Sequence, residues 1–351
     1  MCCTEYLLGL AFTVIVFLFL ILSLFFGGSD ETVEYARQFM EIILLGNVVT
    51  HLYLGLNAVL RASGHPKQAM YATIATVAIN TILAPIFIFM FDWGIRGAAI
   101  ATVSAQVIAL LWQLKQFNNA NELLHFRRGI FRLKRKIVFD SLAIGMSPFL
   151  MNLAACLIVI LINQGLKKYG GDLAIGAFGI VNRLVFIVVM IVMGLNQGMQ
   201  PIAGYNFGAK LYDRVNKVLK LTIIYATCVT TFGFLVGMLA PNLVVGIFTS
   251  DAELTELSAT GLRITVMFFP IIGFQMVTSN FFQSIGMAGK AIFLSLTRQM
   301  LILLPCLLIL PHFFGVAGVW YSMPVSDLLA SLIALVMLVY QFRKFKTAAA
   351  H

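Results

Sequence analysis

The residues able to do chemistry in this chain are few, and they stand inside apolar runs. Asn152 and Asn163 lie 11 residues apart, three helical turns, and so share one helix face with Cys156 and Val159. Further along, Asn182, Met193, Asn196 and Gln200 recur at helical spacing, and Arg183, Met190 and Gln197 form the adjacent stripe. Asn80 precedes Pro85 by five residues, and the proline is expected to kink the helix and free a carbonyl. Gln275 is a lone amide in a later run. Carboxamides offer donors and acceptors to a guest, and methionine repacks around guests of different shape. The same groups also tie helices together, so cavity lining and interhelix bonding both stay open for each.

One acid and one base are set deeper than the rest. Of the 14 acidic residues, only Glu41 and Asp327 lie inside apolar runs, and Glu41 follows Arg37 by four residues, as an interfacial helix pair does. Asp327 lies about 13 Å along its run, counted from Gly318 at 1.5 Å per residue. Arg298 lies about 12 Å from the opposite face, counted from Lys290, in an apolar layer roughly 30 Å thick. Their depths differ by only about 5 Å, and consecutive helices are usually neighbours, so an ion pair is expected. Asp327 and Arg298 are the candidates for coupling to a cation, with a static packing pair as the alternative.

The elements that must position these groups follow from composition. The chain has 351 residues, 60% of them hydrophobic and 11% charged, with a mean hydropathy of +0.95, too apolar for a wetted surface. Apolar runs of helical rather than alternating pattern stand near 6–26, 37–60, 69–91, 96–117, 141–166, 173–203, 218–247, 257–284, 290–311 and 318–341. The fold class is therefore an all-α integral membrane bundle of about ten transmembrane helices. The net charge of +10 does not indicate nucleic acid, because the basic residues fall between the runs. Most of the 24 gather in alternate loops, including Arg61, Lys67, the segment from Arg127 to Lys136, and Lys210 to Lys220. Opposite loops hold Asp30-Glu31 and Asp251-Ala-Glu253. The positive-inside rule puts the basic loops, the linker and the C-terminus in the cytoplasm of a cell (inner) membrane protein. Cysteines 2, 3, 156, 228 and 306 imply no disulfide framework, and the first run is read as a retained helix rather than a signal peptide.

An internal repeat gives the architecture. Phe26 to Ile42 aligns with Phe248 to Ile264 at an offset of 222, and Arg61-Ala-Ser-Gly64 aligns with Gln283-Ser-Ile-Gly286. With one residue deleted, Gly94-Ile-Arg-Gly97 matches Gly315-Val-Ala-Gly318. The second copy opens with two runs that have no counterpart in the first. The expectation is a twelve-helix, two-lobe design of parallel repeats, with the first two helices lacking here. Its parts are an N-lobe at 1–117, a basic linker at 118–140 and a C-lobe at 141–351.

The run Gly198-Met-Gln-Pro-Ile-Ala-Gly-Tyr-Asn-Phe-Gly-Ala209, the segment from Ile79-Asn80 to Phe89 and the Arg61-Ala-Ser-Gly-His-Pro-Lys67 loop resemble the MATE family of multidrug and toxic compound extrusion transporters. Val181-Asn182-Arg183-Leu184-Val185 and Met193-Gly-Leu-Asn-Gln-Gly198 are closer to its MepA-like bacterial branch. The resemblance implies alternating access and export of amphipathic, often cationic compounds, coupled to sodium or protons with no other cofactor. On it, Asn80, Asn152, Asn163, Asn182, Arg183, Met193, Gln197 and Gln275 are the substrate-binding candidates. The chain departs from the family at coupling positions: Ala84 stands where one branch has an aspartate, and Ala155 and Phe274 stand where the NorM-like branch has carboxylates. The implied partners are drugs or toxic compounds and the lipid bilayer, with no nucleic acid and no obligate protein partner. A polyisoprenoid-linked sugar or lipid flippase of the same superfamily is the alternative, as is a non-transporting gene fragment. Away from their ends the runs hold only Arg183, Arg263 and Arg298 among the arginines and lysines, fewer than a flippase cavity would need. Neither HExxH, GxSxG nor a P-loop occurs, so an enzyme is not indicated.

Overall fold

The computed structural model describes residues 30–118, 125 and 135–349. The expected span at 6–26 and most of the 118–140 linker lie outside these residues. The chain divides into two compact units, Met1–Leu142 and Ala143–His351. The first contains α1 (Asp30–Ala62), α2 (Pro66–Pro85, continued by a π-turn Ile86–Met90) and α3 (Gly94–Phe117). The second contains α4 (Arg135–Gly208) from Ala143 onward, α5 (Tyr212–Leu239), the short α6 (Pro241–Val245), α7 (Ala252–Val266) and α8 (Phe269–Ser284). It ends with α9 (Ala288–Leu296), a π-turn Thr297–Leu303, α10 (Leu304–Phe314) and α11 (Val316–Ala349).

Seven of the described helical segments are long and apolar enough to cross a membrane, or eight with the bent pair α7–α8. One of the seven is the 60-residue stretch Phe149–Gly208, which is two spans in length. It is broken at Gly171, whose φ of 67° and ψ of −163° leave the helical region where a side chain would clash. That division yields nine spans among the described residues, close to the count expected from hydropathy. The segment Pro66–Met90 has a mean hydropathy of 2.0, yet none of its most apolar stretch is buried within the protein. Ile74, Val77, Ile82 and Phe89 on it need lipid rather than water as solvent.

Two boundaries differ from the hydropathy reading, and both differences trace to proline. The expected span 218–247 ends at Leu239, because Ala240 is non-helical and Pro241 opens a separate turn. The expected span 257–284 is two helices bent by 55°. Pro270, which carries no N–H, sits in the first turn of α8, and Phe268 before it has φ −107° and ψ 16°. At Pro85, by contrast, the backbone stays helical, with φ −60° and ψ −38°, and α2 widens into the π-turn directly after it.

The sequence repeat is also a repeat of packing. In unit 1, α3 runs through the contacts of both α1 and α2, and in unit 2, α11 packs on α8 and α10. Every fourth residue of α3 on its buried face is Gly97, Ala101, Ala105, Ala109 and Gln113; on α11 the equivalents are Gly318, Ser322, Ser326, Ala330 and Ala334. Small residues at this spacing let helices approach closely, which is the packing available where lipid removes the hydrophobic drive between helices. The approach is close enough that a Cβ on Gly97 would lie 2.6 Å from the Phe87 carbonyl oxygen, and one on Gly318 would lie 2.3 Å from that of Leu310.

A second match joins α1 to α2 and α8 to α9. The His65 N–H donates to the Leu60 carbonyl at 3.0 Å and the Met287 N–H to that of Phe282 at 2.9 Å, closing the two turns that carry Gly64 and Gly286. Across each turn lies a side-chain clasp. Asn57 donates to the Ala69 carbonyl at 2.9 Å and to Thr73 Oγ1 at 3.3 Å. At the equivalent positions, Ser279 donates to the Ala291 carbonyl at 3.5 Å and shares a 2.8 Å bond with Ser295.

Candidate functional site

In unit 1 a line of polar side chains joins three helices. Asn80 of α2 donates its amide to Thr102 Oγ1 of α3 at 3.0 Å. One turn further along α3, Gln106 accepts a hydrogen bond from Thr50 of α1. Thr102 and Gln106 are four residues apart and share a face, so α3 presents both groups to its neighbours. Sequence reasoning picked out Asn80 and missed the other three. The signal was there in the i, i+4 pairing of Thr102 with Gln106 inside an apolar run.

Unit 2 sorts its sequence candidates by burial. Asn182, Arg183, Met193 and Gln197 on the second arm of α4 are exposed, as is Asn152 on the first arm, while Asn163 is half-buried. Asn196, grouped by spacing with Asn182 and Met193, turns inward instead. It is 2% exposed, and neither its Nδ2 nor its Oδ1 has a hydrogen-bond partner. Its neighbours in sequence, Val192 and Met199, belong to the buried cluster with Val277 and Phe281 of α8. Two more amides bridge α4 and α8: Gln200 Nε2 donates to Asn280 Oδ1 at 3.4 Å, and Asn280 Nδ2 donates to the Met276 carbonyl at 3.0 Å. Gln275 is buried within the same unit at 4% exposure.

Arg298 and Asp327 meet. The guanidinium Nε donates to Asp327 Oδ1 at 2.7 Å, the contact expected from their matched depths. The acid side chain is 5% exposed and the base 31%, so the carboxylate faces inward and the guanidinium reaches the surface of the unit. Arg298 stands in the π-turn Thr297–Leu303, and Asp327 stands three residues after Pro324 on α11. The Asp327 carbonyl accepts from Ser331 Oγ at 2.7 Å, and Ser322 and Ser326 are buried along the same helix. The pair thus sits where one helix is widened into a π-turn and the other carries a proline inside it.

Apolar spans carrying amides and one inward ion pair, arranged as two copies of one packing scheme, are the make-up of a multi-pass membrane transporter. The chain belongs to the MatE family, whose model matches residues 2–86 and 144–308. It is 28% identical over 321 residues to the multidrug export protein MepA of Staphylococcus aureus (strain MSSA476), covering 90% of this chain and 69% of the relative. MepA of Staphylococcus haemolyticus (strain JCSC1435) is similar to the same degree over 319 residues. Among solved structures, the MATE multidrug transporter DinF-BH superposes with a TM-score of 0.87 at 33% identity, covering 98% of this chain and 77% of that one. An outward-facing multidrug resistance MATE transporter of the MOP superfamily superposes at 0.89 with 22% identity, covering 99% of this chain and 78% of that one, a likeness of fold.

Proposed function

We propose that this chain exports amphipathic, often cationic small molecules by alternating access, driven by influx of sodium or protons through a cell (inner) membrane. The observation that carries the reading is the family membership over most of the chain, joined to relatives described as multidrug export proteins. The exposed polar and methionine groups of unit 2 suit a surface that accepts guests of varied shape. On this reading Asn80, Asn152, Asn163, Asn182, Arg183, Met193, Gln197 and Gln275 bind substrate. The Arg298–Asp327 pair exchanges its internal bond for a coupling cation, since an ionisable pair in a span is costly and is retained where it serves transport. No cofactor beyond the ion and no protein partner is required.

The test is transport by the reconstituted chain in vesicles under an imposed sodium or proton gradient. Alanine at Asn152, Asn163, Asn182 or Gln197 should change export of different dyes unequally with membrane abundance unchanged. Uniform loss of protein from the membrane would mean that these residues only hold helices together. Asp327→Asn keeps the shape and removes the charge; it should abolish ion-driven export while dye binding persists. Unchanged export and ion dependence would remove the pair from the coupling scheme.

A further inference from the structure

The ion pair uses little of the chemistry that Arg298 offers. A guanidinium has five N–H donors, and fork-on-fork pairing with a carboxylate engages two in parallel. Here the single contact is through Nε, and among the described residues no other hydrogen bond or ion pair holds Arg298. Both Nη groups therefore remain as donors on a side chain that is 31% exposed. Asp327 neutralises the charge from the inner side at 5% exposure and fixes the direction of the plane. The accessible half of the pair is the cation.

The turn that carries Arg298 is unusual in a second respect. Thr73, Thr76, Thr102, Thr222, Thr230, Thr265 and Thr278 each donate to the carbonyl four residues earlier, which is how a helix satisfies a hydroxyl in an apolar layer. Thr297, in the π-turn, does not. Its Oγ1 is buried with no partner, and so is Oε1 of Gln299 on the other side of Arg298. Three consecutive residues thus keep unspent polar capacity in a stretch where each unpaired group is expensive. Single π-turns inside α-helices gather at functional sites.

We propose that Arg298 is an anion-binding residue, whose free Nη edge takes the carboxylate or phosphate of an amphipathic molecule within the apolar layer. The inference rests on the export reading and extends it from cationic compounds to zwitterionic and anionic ones. The guanidinium fork matches a carboxylate or phosphate in two parallel hydrogen bonds, a geometry that lysine cannot reproduce. The source of the anion is either the exported molecule or the headgroup of an acidic lipid.

The test compares one rhodamine fluorophore as its free acid and as its ethyl ester, binding to the full chain in phosphatidylcholine nanodiscs. Arg298→Lys and the double variant Arg298→Gln with Asp327→Asn are the partners; the double variant leaves no uncompensated charge and so protects folding. Binding of the acid should weaken on the order of tenfold to a hundredfold in both variants, with the ester changed by no more than about twofold. Equal weakening of both dyes, or of neither, would overturn the assignment. Repeating the titration with phosphatidylglycerol present separates the sources. If that lipid weakens acid binding to the wild-type chain alone, its phosphate occupies Arg298; if it has no effect, the site is kept for the exported molecule. A wild-type chain that binds the ester and not the acid sinks this inference and leaves export standing, and one that binds neither dye sinks both.

Discussion

Removing the two members of the Arg298–Asp327 pair should not cost the same. Arg298→Met leaves a carboxylate that is 5% exposed with its ionic partner gone. Breaking a buried pair in this way costs about 3–5 kcal/mol. Asp327→Leu leaves a guanidinium on a side chain that is already 31% exposed and so loses less on unpairing; its cost is about 1–3 kcal/mol, that of an unsatisfied polar group. Unit 2 extends from Ala143 to His351. For folding units of about 150–250 residues each kcal/mol shifts the midpoint by about 2–4 °C. The arginine variant should thus melt about 6–20 °C lower and the aspartate variant about 2–12 °C lower. Combining both changes replaces the pair by apolar side chains and should recover most of the loss, since such replacement is often neutral or better. The assay is the melting midpoint of the detergent-solubilised full chain, followed by tryptophan fluorescence and by the fraction remaining monodisperse after heating. Greater damage from the aspartate change would contradict the burial asymmetry. Additivity in the double variant would show that the two groups do not depend on each other.

Gly318→Ala should destabilise by about 1–3 kcal/mol, because the new methyl meets backbone atoms of Leu310 that have no rotamer by which to retreat, whereas Gly198→Ala, with nothing within 4 Å, should be silent in the same melt. Asp251 accepts hydrogen bonds from the Glu253 and Leu254 N–H groups at 2.9 and 3.1 Å as the N-cap of α7, so Asp251→Ala should cost about 1 kcal/mol and Asp251→Asn a few tenths. Cysteines placed at Asn119 and Thr347 in a cysteine-free background should resist an impermeant thiol reagent in intact cells, while one at Asp251 should react; reversed labelling would refute the cytoplasmic placement of linker and tail.

The features legible in the sequence are those that one dimension preserves. Hydropathy sums along the chain and depth counts along a helix, so the spans and the meeting of Arg298 with Asp327 follow from residue order alone. Glycine with positive φ is a local demand, and Gly64 and Gly286 mark equivalent turns with φ of 87° and 76°. Lateral packing is not preserved in that way. Asn196 differs from Met193 by three residues, and the spacing that groups them cannot show that one face meets Val277 and Phe281 while the other remains open. The bend between α7 and α8 was missed because Phe268, Phe269 and Pro270 are as apolar as a straight span requires. The π-turn at Thr297–Leu303 has no residue signature of its own.

The clasps across the Gly64 and Gly286 turns are one connection made twice with different side chains. An asparagine and a threonine perform in one half what two serines perform in the other, reaching the same carbonyl, four residues into the following helix, with different atoms. The side chains differ between the two halves while the bond to that carbonyl is common to both. What the halves share at this point is therefore a connection rather than a residue, and comparison of the halves by letters alone understates their likeness. Exchange should be possible: Ser279→Asn paired with Ser295→Thr transplants the first half's clasp into the second, and a working transporter with those changes would show the two halves still speaking one structural dialect.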